Sequence, residues 1–129
     1  MYQLGYFVAN LNVAANKRWQ YAYVYNTVLN VNILKILHKN GIIGGFYFLK
    51  STLKVKLKYY NNICVLRKLS IISKPGSRQY WTLKFLSNKF NKNSFNGFYI
   101  VSTPLGILTS VDCLFFKVRS GEVILQVII

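Results

Sequence analysis

The sequence is almost devoid of acid. Among 129 residues only Asp112 and Glu122 carry carboxylates, against 17 Lys and Arg, so the formal net charge is +15 and the pI is near 10.0. Two carboxylates, one histidine and two cysteines leave catalysis few parts to use. Asp112 reads better as a helix cap than as half of an acid–base pair. His38 stands alone and reads as a helix-terminal cation, because no metal-ligand spacing connects it to Cys64 or Cys113. The two cysteines lack Cys-x-x-Cys spacing, which favours buried free thiols in a reducing compartment and leaves one disulfide open. A glycine-rich phosphate loop is also missing, and Gly44-Gly45 inside an apolar run reads as a bulge. These shortages point to no enzyme, no cofactor, no metal and no small-molecule substrate.

Long apolar runs are scarce too. The longest uncharged stretch, Asn93 to Val111, is interrupted by Asn96, Ser102, Thr103, Pro104 and Gly106, whereas a spanning helix needs about 20 predominantly apolar residues. No membrane span is expected. Met1 to Asn16 has neither the charged opening of a secretory signal nor the arginines of a transit peptide. Usage is rich in Asn, Lys, Ile, Leu, Tyr and Phe and poor in Ala, Arg and Pro. Such drift fits an A+T-rich genome and an organelle-encoded product, mitochondrial or, alternatively, plastid.

What is present is an apolar core with a one-sided field. Hydrophobic residues make up 53% and aromatics 16%, enough to offset the entropy of ordering. No acid precedes Asp112, so residues 1–111 hold all the uncompensated positive charge, while the tail is locally neutral. Ordinary domains interleave both signs. A field of this kind calls for a polyanion, nucleic acid first, with affinity that falls steeply with salt. A small basic subunit of an organellar membrane complex is the alternative reading.

Periodicity predicts an α+β chain with two helices. Leu29, Ile33, Ile36 and Leu37 recur at helical spacing, Asn26 or Thr27 can cap, and Gly41 can stop a helix over Val28 to Asn40. Strands are predicted at Ile42 to Leu49 and Thr52 to Tyr60, then as shorter pieces at Ile63 to Leu66 and Leu69 to Ser73, with a turn at Asn61-Asn62. Lys74-Pro75-Gly76 is a turn, Arg78 to Leu83 a strand, and Phe85 to Asn96 an irregular basic segment. Gly97 to Ser102 is a buried strand that Thr103-Pro104-Leu105-Gly106 breaks. Thr109 and Asp112 fit a capping box for a helix to about Lys117, ended by Ser120-Gly121, and Glu122 to Ile129 closes as a strand.

Several residues suit RNA. Lys54, Lys56 and Lys58 alternate along one strand about 7 Å apart and can track phosphates, or can instead guard a sheet edge from aggregation. Arg78, Tyr80 and Trp81 bring a guanidinium and flat rings, which can stack on unpaired bases or pack in the core.

A resemblance then emerges. Ile72-Ser73-Lys74-Pro75-Gly76-Ser77-Arg78-Gln79-Tyr80 resembles the Ser-Arg-Pro-Gly-x-Arg-x-Tyr motif of the family of the eighth protein of the small ribosomal subunit. Gly97 to Ile129 is similar to that family's closing region, with Val101-Ser102-Thr103, Gly106, Thr109 and Gly121-Glu122 in matching order, and Ala14-Ala15-Asn16-Lys17 matches more weakly.

The resemblance implies two lobes, an N-terminal α/β lobe over 1–67 and a C-terminal β-rich lobe with one helix over 68–129, the latter recognising RNA. It further implies a structural role in the small subunit, bound to ribosomal RNA of the central, platform region beside neighbouring ribosomal proteins. Ser102 and Thr103 are the implied RNA contacts, with Lys74, Gly76, Arg78, Tyr80 and Lys17 added, and Gly106, Thr109, Gly121 and Glu122 supporting the loop.

The chain departs from the family at Pro104, where a third hydroxyl residue is usual, and at Ser120, where a glycine is expected. Leu114, Phe115 and Phe116 replace polar and basic residues, and Leu4 to Val13 carries no charge where the family has a basic helix.

Overall fold

Leu4, Phe7, Val8, Leu11, Ala14 and Ala15 recur three and four residues apart, and in the computed structural model they form the buried stripe of a helix, α1 (Tyr2–Asn16). The structure describes residues 2–74, 76–91 and 96–129. Pro75 of the predicted turn and residues 92–95 of the predicted irregular segment lie outside these. Arg18, in the left-handed conformation at φ 59°, follows α1, and Lys17 and Trp19 amides donate back to Val13 and Ala14 carbonyls at 2.9 Å each.

Strand β1 (Tyr21–Tyr25) precedes helix α2 (Val28–Lys39), whose start is capped by Thr27, its side chain accepting from the Asn30 amide at 3.2 Å. Asn40 caps the other end, and Gly41 at φ 75° redirects the chain, as the spacing predicted. Strands β2 (Ile43–Phe48) and β3 (Thr52–Leu57) complete an antiparallel sheet in the order β1-β3-β2. The register between β2 and β3 shifts between Ile43 and Gly45, which places the predicted bulge at Gly44. Ala22, Val24, Leu53, Val55 and Leu57 are buried, as are Ile33, Leu34 and Leu37 of α2, so the helices cover one face of this sheet.

The predicted long strand to Tyr60 is interrupted after Leu57. Tyr59–Tyr60 (β4) instead pairs with Ile63–Cys64 (β5) in a separate hairpin. Its tip is Asn61-Asn62, with φ of 51° and 66°, positive at both central positions as a mirror-type tight turn requires.

The chain forms two units, one running to Leu69 and including Ile129, the other Ser70–Ile128, with the division inside β6 (Lys68–Ile71). The second unit carries β7 (Tyr80–Thr82), helix α3 (Leu83–Asn91), β8 (Gly97–Thr103), β9 (Gly106–Thr109), helix α4 (Ser110–Phe115) and β10 (Ser120–Ile128). The sheet runs β6-β10-β8-β9, with β7 also on β10. Leu86, Val101, Cys113 and Val123 are its buried cluster, packed by Ile72, Trp81, Tyr99, Leu108 and Val118.

Three expectations need correction. The described residues hold four helices rather than two. Most of the segment from Phe85 is not irregular: Thr82 accepts from the Phe85 amide at 3.3 Å and starts α3, whose Leu86 is buried. The helix after Thr109 stops at a cap on Phe116, with Lys117 left-handed at φ 54°, so Ser120-Gly121 is free to open β10. No helix among the described residues is long and apolar enough to cross a membrane.

Candidate RNA-binding surface

Thr103-Pro104-Leu105-Gly106 does not merely break a strand; it turns β8 back onto β9. The register runs Val101 to Leu108, Ser102 to Ile107 and Thr103 to Gly106, which leaves Pro104 and Leu105 at the tip. Pro suits the first corner because its ring presets φ. Thr103 holds the turn from inside. Its hydroxyl donates to the Gly106 carbonyl at 2.8 Å and accepts from the Leu105 amide at 3.2 Å. Its single proton is therefore spent on the loop, whereas the Ser102 hydroxyl has no hydrogen-bond partner among the described residues. Leu105 is well exposed at the tip.

The stem of this hairpin is tightly built. Glu122 of β10 stands opposite Ser102 of β8 on one side and Tyr80 of β7 on the other. Gly121 lies opposite Trp81, and a Cβ on it would come within 2.6 Å of Val101 Cγ1 and 2.8 Å of the Ser102 carbonyl oxygen. Glycine is thus required by close approach of two backbones. The Arg78 guanidinium lies 3.5 Å from the Glu122 carboxylate, the sole ion pair among the described residues.

Thr109 behaves as its spacing predicted. It is buried, and its side chain accepts from the Asp112 amide at 3.1 Å, capping α4. Ser110, fully buried, accepts from the Tyr99 amide at 3.2 Å and so fastens α4 to β8. Ser73 is a similar fastener, its hydroxyl accepting from the Gln79 amide at 3.1 Å. Ser110 was not singled out from the sequence and Ser73 only as a member of the motif run, since a serine in a turn or helix start carries no sign of which distant amide it meets. Lys74 and Ser77 exchange both backbone bonds, 3.1 and 2.9 Å, across the turn that contains Gly76.

The register of the second unit thus brings Tyr80, Ser102, Gly121 and Glu122 together across β7, β10 and β8, with Thr103 and Gly106 closing the adjoining hairpin and Arg78 on Glu122. Lys74 and Gly76, by contrast, lie in the turn before β7, and Thr109 caps α4 at the other end of β9. Tyr80 is 68% exposed and free to stack, but Trp81 is core, edge-on to Phe85 and Tyr99 with centroids 5.0 Å from each. Phe115 and Phe116 stand exposed and edge-to-face, 5.2 Å apart.

Lys17, Lys54, Lys56 and Lys58 belong to the other unit. Lys54 and Lys56 sit on β3, which is the central strand, so guarding an edge is not their role. Lys58 falls between β3 and β4.

Both cysteines are free and buried. Burial, helped by the neighbouring Asp112, pushes the Cys113 thiol up to about 11, and burial raises Cys64 as well. Among the described residues no group of His, Cys, Asp and Glu is placed to hold a metal.

Residues 3–128 match the family model described as Ribosomal protein S8. The small ribosomal subunit protein uS8m of Acanthamoeba castellanii is 36% identical over 125 residues, covering 96% of this chain and 97% of the relative. The uS8 protein of Wolbachia pipientis subsp. Culex pipiens is 37% identical over 103 residues, with 77% and 76% covered, and that of Bacteroides fragilis is 32% identical over 127 residues, with 94% of each.

Proposed function

The chain belongs to the ribosomal protein S8 family of structural, non-enzymatic constituents of the small ribosomal subunit, and from that premise we propose that it binds small-subunit ribosomal RNA through the β8–β9 hairpin. The observation that carries this reading is the division of labour at the loop. Thr103 spends its hydroxyl on shaping the turn, while the adjacent Ser102 keeps a hydroxyl free for an acceptor or a ribose 2′-OH. Tyr80, across β10 from the same site, presents an exposed ring for an unpaired base. Lys74 and Gly76 extend the surface along the turn, and Arg78 is held at its margin by Glu122. Long-range attraction comes from the field of +15, which supplies affinity without sequence preference.

The RNA partner in this reading is an irregular helix of the central, platform region, ordered during assembly. The place of work is the mitochondrial ribosome in the matrix, supported by the likeness to uS8m and by the A+T-biased composition. Neighbouring ribosomal proteins cover Phe115 and Phe116, whose exposure at the end of a short helix serves no purpose inside the unit. The test is binding of the purified chain to a structured small-subunit RNA fragment at increasing salt. Affinity should fall by orders of magnitude between about 50 and 200 mM and fall further on Ser102→Ala. Binding that ignores both changes would sink the proposal.

A further inference from the structure

The first sheet has an open face whose composition the strand register reveals. Tyr21 stands opposite Lys56, Tyr23 opposite Lys54 and Tyr25 opposite Thr52 between β1 and β3, while Tyr47 of β2 stands opposite Lys54 from the other flank. Directly paired residues share a face. The residues between them, Ala22, Val24, Leu53 and Val55, are buried on the opposite side. One face therefore carries four tyrosines and two lysines. Tyr23, Tyr25 and Tyr47 are each half-exposed, at 53%, 50% and 52%. The Lys54 ammonium already lies 4.1 Å from the centre of the Tyr21 ring, which shows how cation and ring combine here. At the edge of this face, Asn10, Val13 and Trp19 join Tyr21 and Tyr23 around a groove of about 490 Å³, with Trp19 half-exposed.

We propose that this face is a stacking platform for a short unpaired RNA segment, bases lying on the tyrosine rings and phosphates on Lys54 and Lys56, with the Trp19 groove receiving a terminal base. Flat rings on alternate positions of adjacent strands offer repeated stacking surfaces, and stacking tolerates any base because every base has a π face. Duplex RNA has no unstacked base to give them. A protein of mixed charge fits less well. No acid occurs in the first 111 residues, so any occupant must itself bring the anions for Lys54 and Lys56, which would otherwise be desolvated unpaired. The class of partner rests on the RNA-binding reading above, but the residues and the unit are different ones.

The experiment measures binding of the full chain to two RNAs, an unstructured uridine oligonucleotide of about ten residues and a structured small-subunit fragment. Tyr23→Ala and Tyr47→Ala, both at half-exposed positions, should each weaken oligonucleotide binding roughly tenfold. Tyr23→Phe should retain it, because the ring and not the hydroxyl does the stacking. Oligonucleotide should also quench Trp19 fluorescence. The tyrosine changes should leave the structured fragment bound as before, whereas Ser102→Ala should do the reverse, so failure of one surface is distinguishable from failure of the other. Alanine variants that hold the oligonucleotide as well as the parent would overturn the platform. So would a pattern in which Lys54→Gln weakens binding while the tyrosine changes do not, which is plain electrostatics, or a parent chain that binds the structured fragment and ignores the oligonucleotide, which assigns the face to protein.

Discussion

Gly121 and Ser102 approach so closely across the β10–β8 ladder that a single methyl group on Gly121 would sit 2.8 Å from the Ser102 carbonyl oxygen. The contact is with backbone and cannot be relieved by turning a side chain. Gly121→Ala should therefore destabilise the protein by about 1–3 kcal/mol, the usual cost of overpacking. The same shift displaces the hairpin that holds Ser102, so urea titration and RNA affinity should both report the change.

Ser102 and Thr103 should fail in different ways. Ser102→Ala removes a hydroxyl with no partner in the described fold, so stability should hold while RNA affinity drops about fivefold, the worth of one hydrogen bond near 1 kcal/mol. Thr103→Val removes two bonds inside the loop. Faster hydrogen exchange at the Leu105 amide should accompany its loss of binding.

The Arg78–Glu122 pair is partly open to solvent, with side-chain exposures of 36% and 21%, and spans 3.5 Å. Screening should hold its coupling energy below about 1 kcal/mol. A double-mutant cycle with Arg78→Ala and Glu122→Ala measures it, and the coupling should shrink in concentrated salt.

Cys113 makes stability depend on alkaline pH. Its thiol ionises at about 11 in the folded chain against an ordinary value of 9.0. Below pH 9 both states keep the proton and the contribution to stability is complete. Above it the unfolded chain gains by ionising first, so stability falls as pH rises from 9 towards 11. Cys113→Ala should flatten that part of the curve. Thiol reagents at neutral pH should label the native protein slowly and the unfolded protein at once.

Lys117→Gly should stabilise the chain by about 0.5–1 kcal/mol, because a side-chain-bearing residue pays for the left-handed conformation that closes α4. Thermal unfolding measures it.

Where polarity contrasts with apolarity along the chain, the fold is legible in the sequence. Helix α2, with Thr27 before it and Gly41 after, and β3, with lysines alternating against Leu53 and Val55, both show that contrast. β1 does not. Tyr21, Tyr23 and Tyr25 alternate with Ala22 and Val24, apolar against apolar, and only burial separates the two sets. Helix α1 hid for the same reason, since its outer face shows Tyr6, Asn10 and Val13 in place of charges. β9 was too short to see, and the proline before it looked like an ending. The loop at Ser102 and Thr103 was visible by motif, but which hydroxyl is free is a matter of geometry. The tyrosine face needed the register, because its members come from three strands.

Side-chain amides add to the apolar core of the first unit. Asn12 donates to the Leu69 carbonyl at 2.9 Å and accepts from its amide at 2.8 Å, as a neighbouring peptide would. Asn10 donates to the Tyr23 carbonyl, Asn30 to that of Tyr25 and Asn40 to that of Ile36. None of these bonds carries a net charge, so neither salt nor ordinary changes of pH should loosen them. Cohesion and adhesion thus use separate chemistries in this protein: ionic strength high enough to strip the chain from a polyanion should release it still folded and ready to bind again.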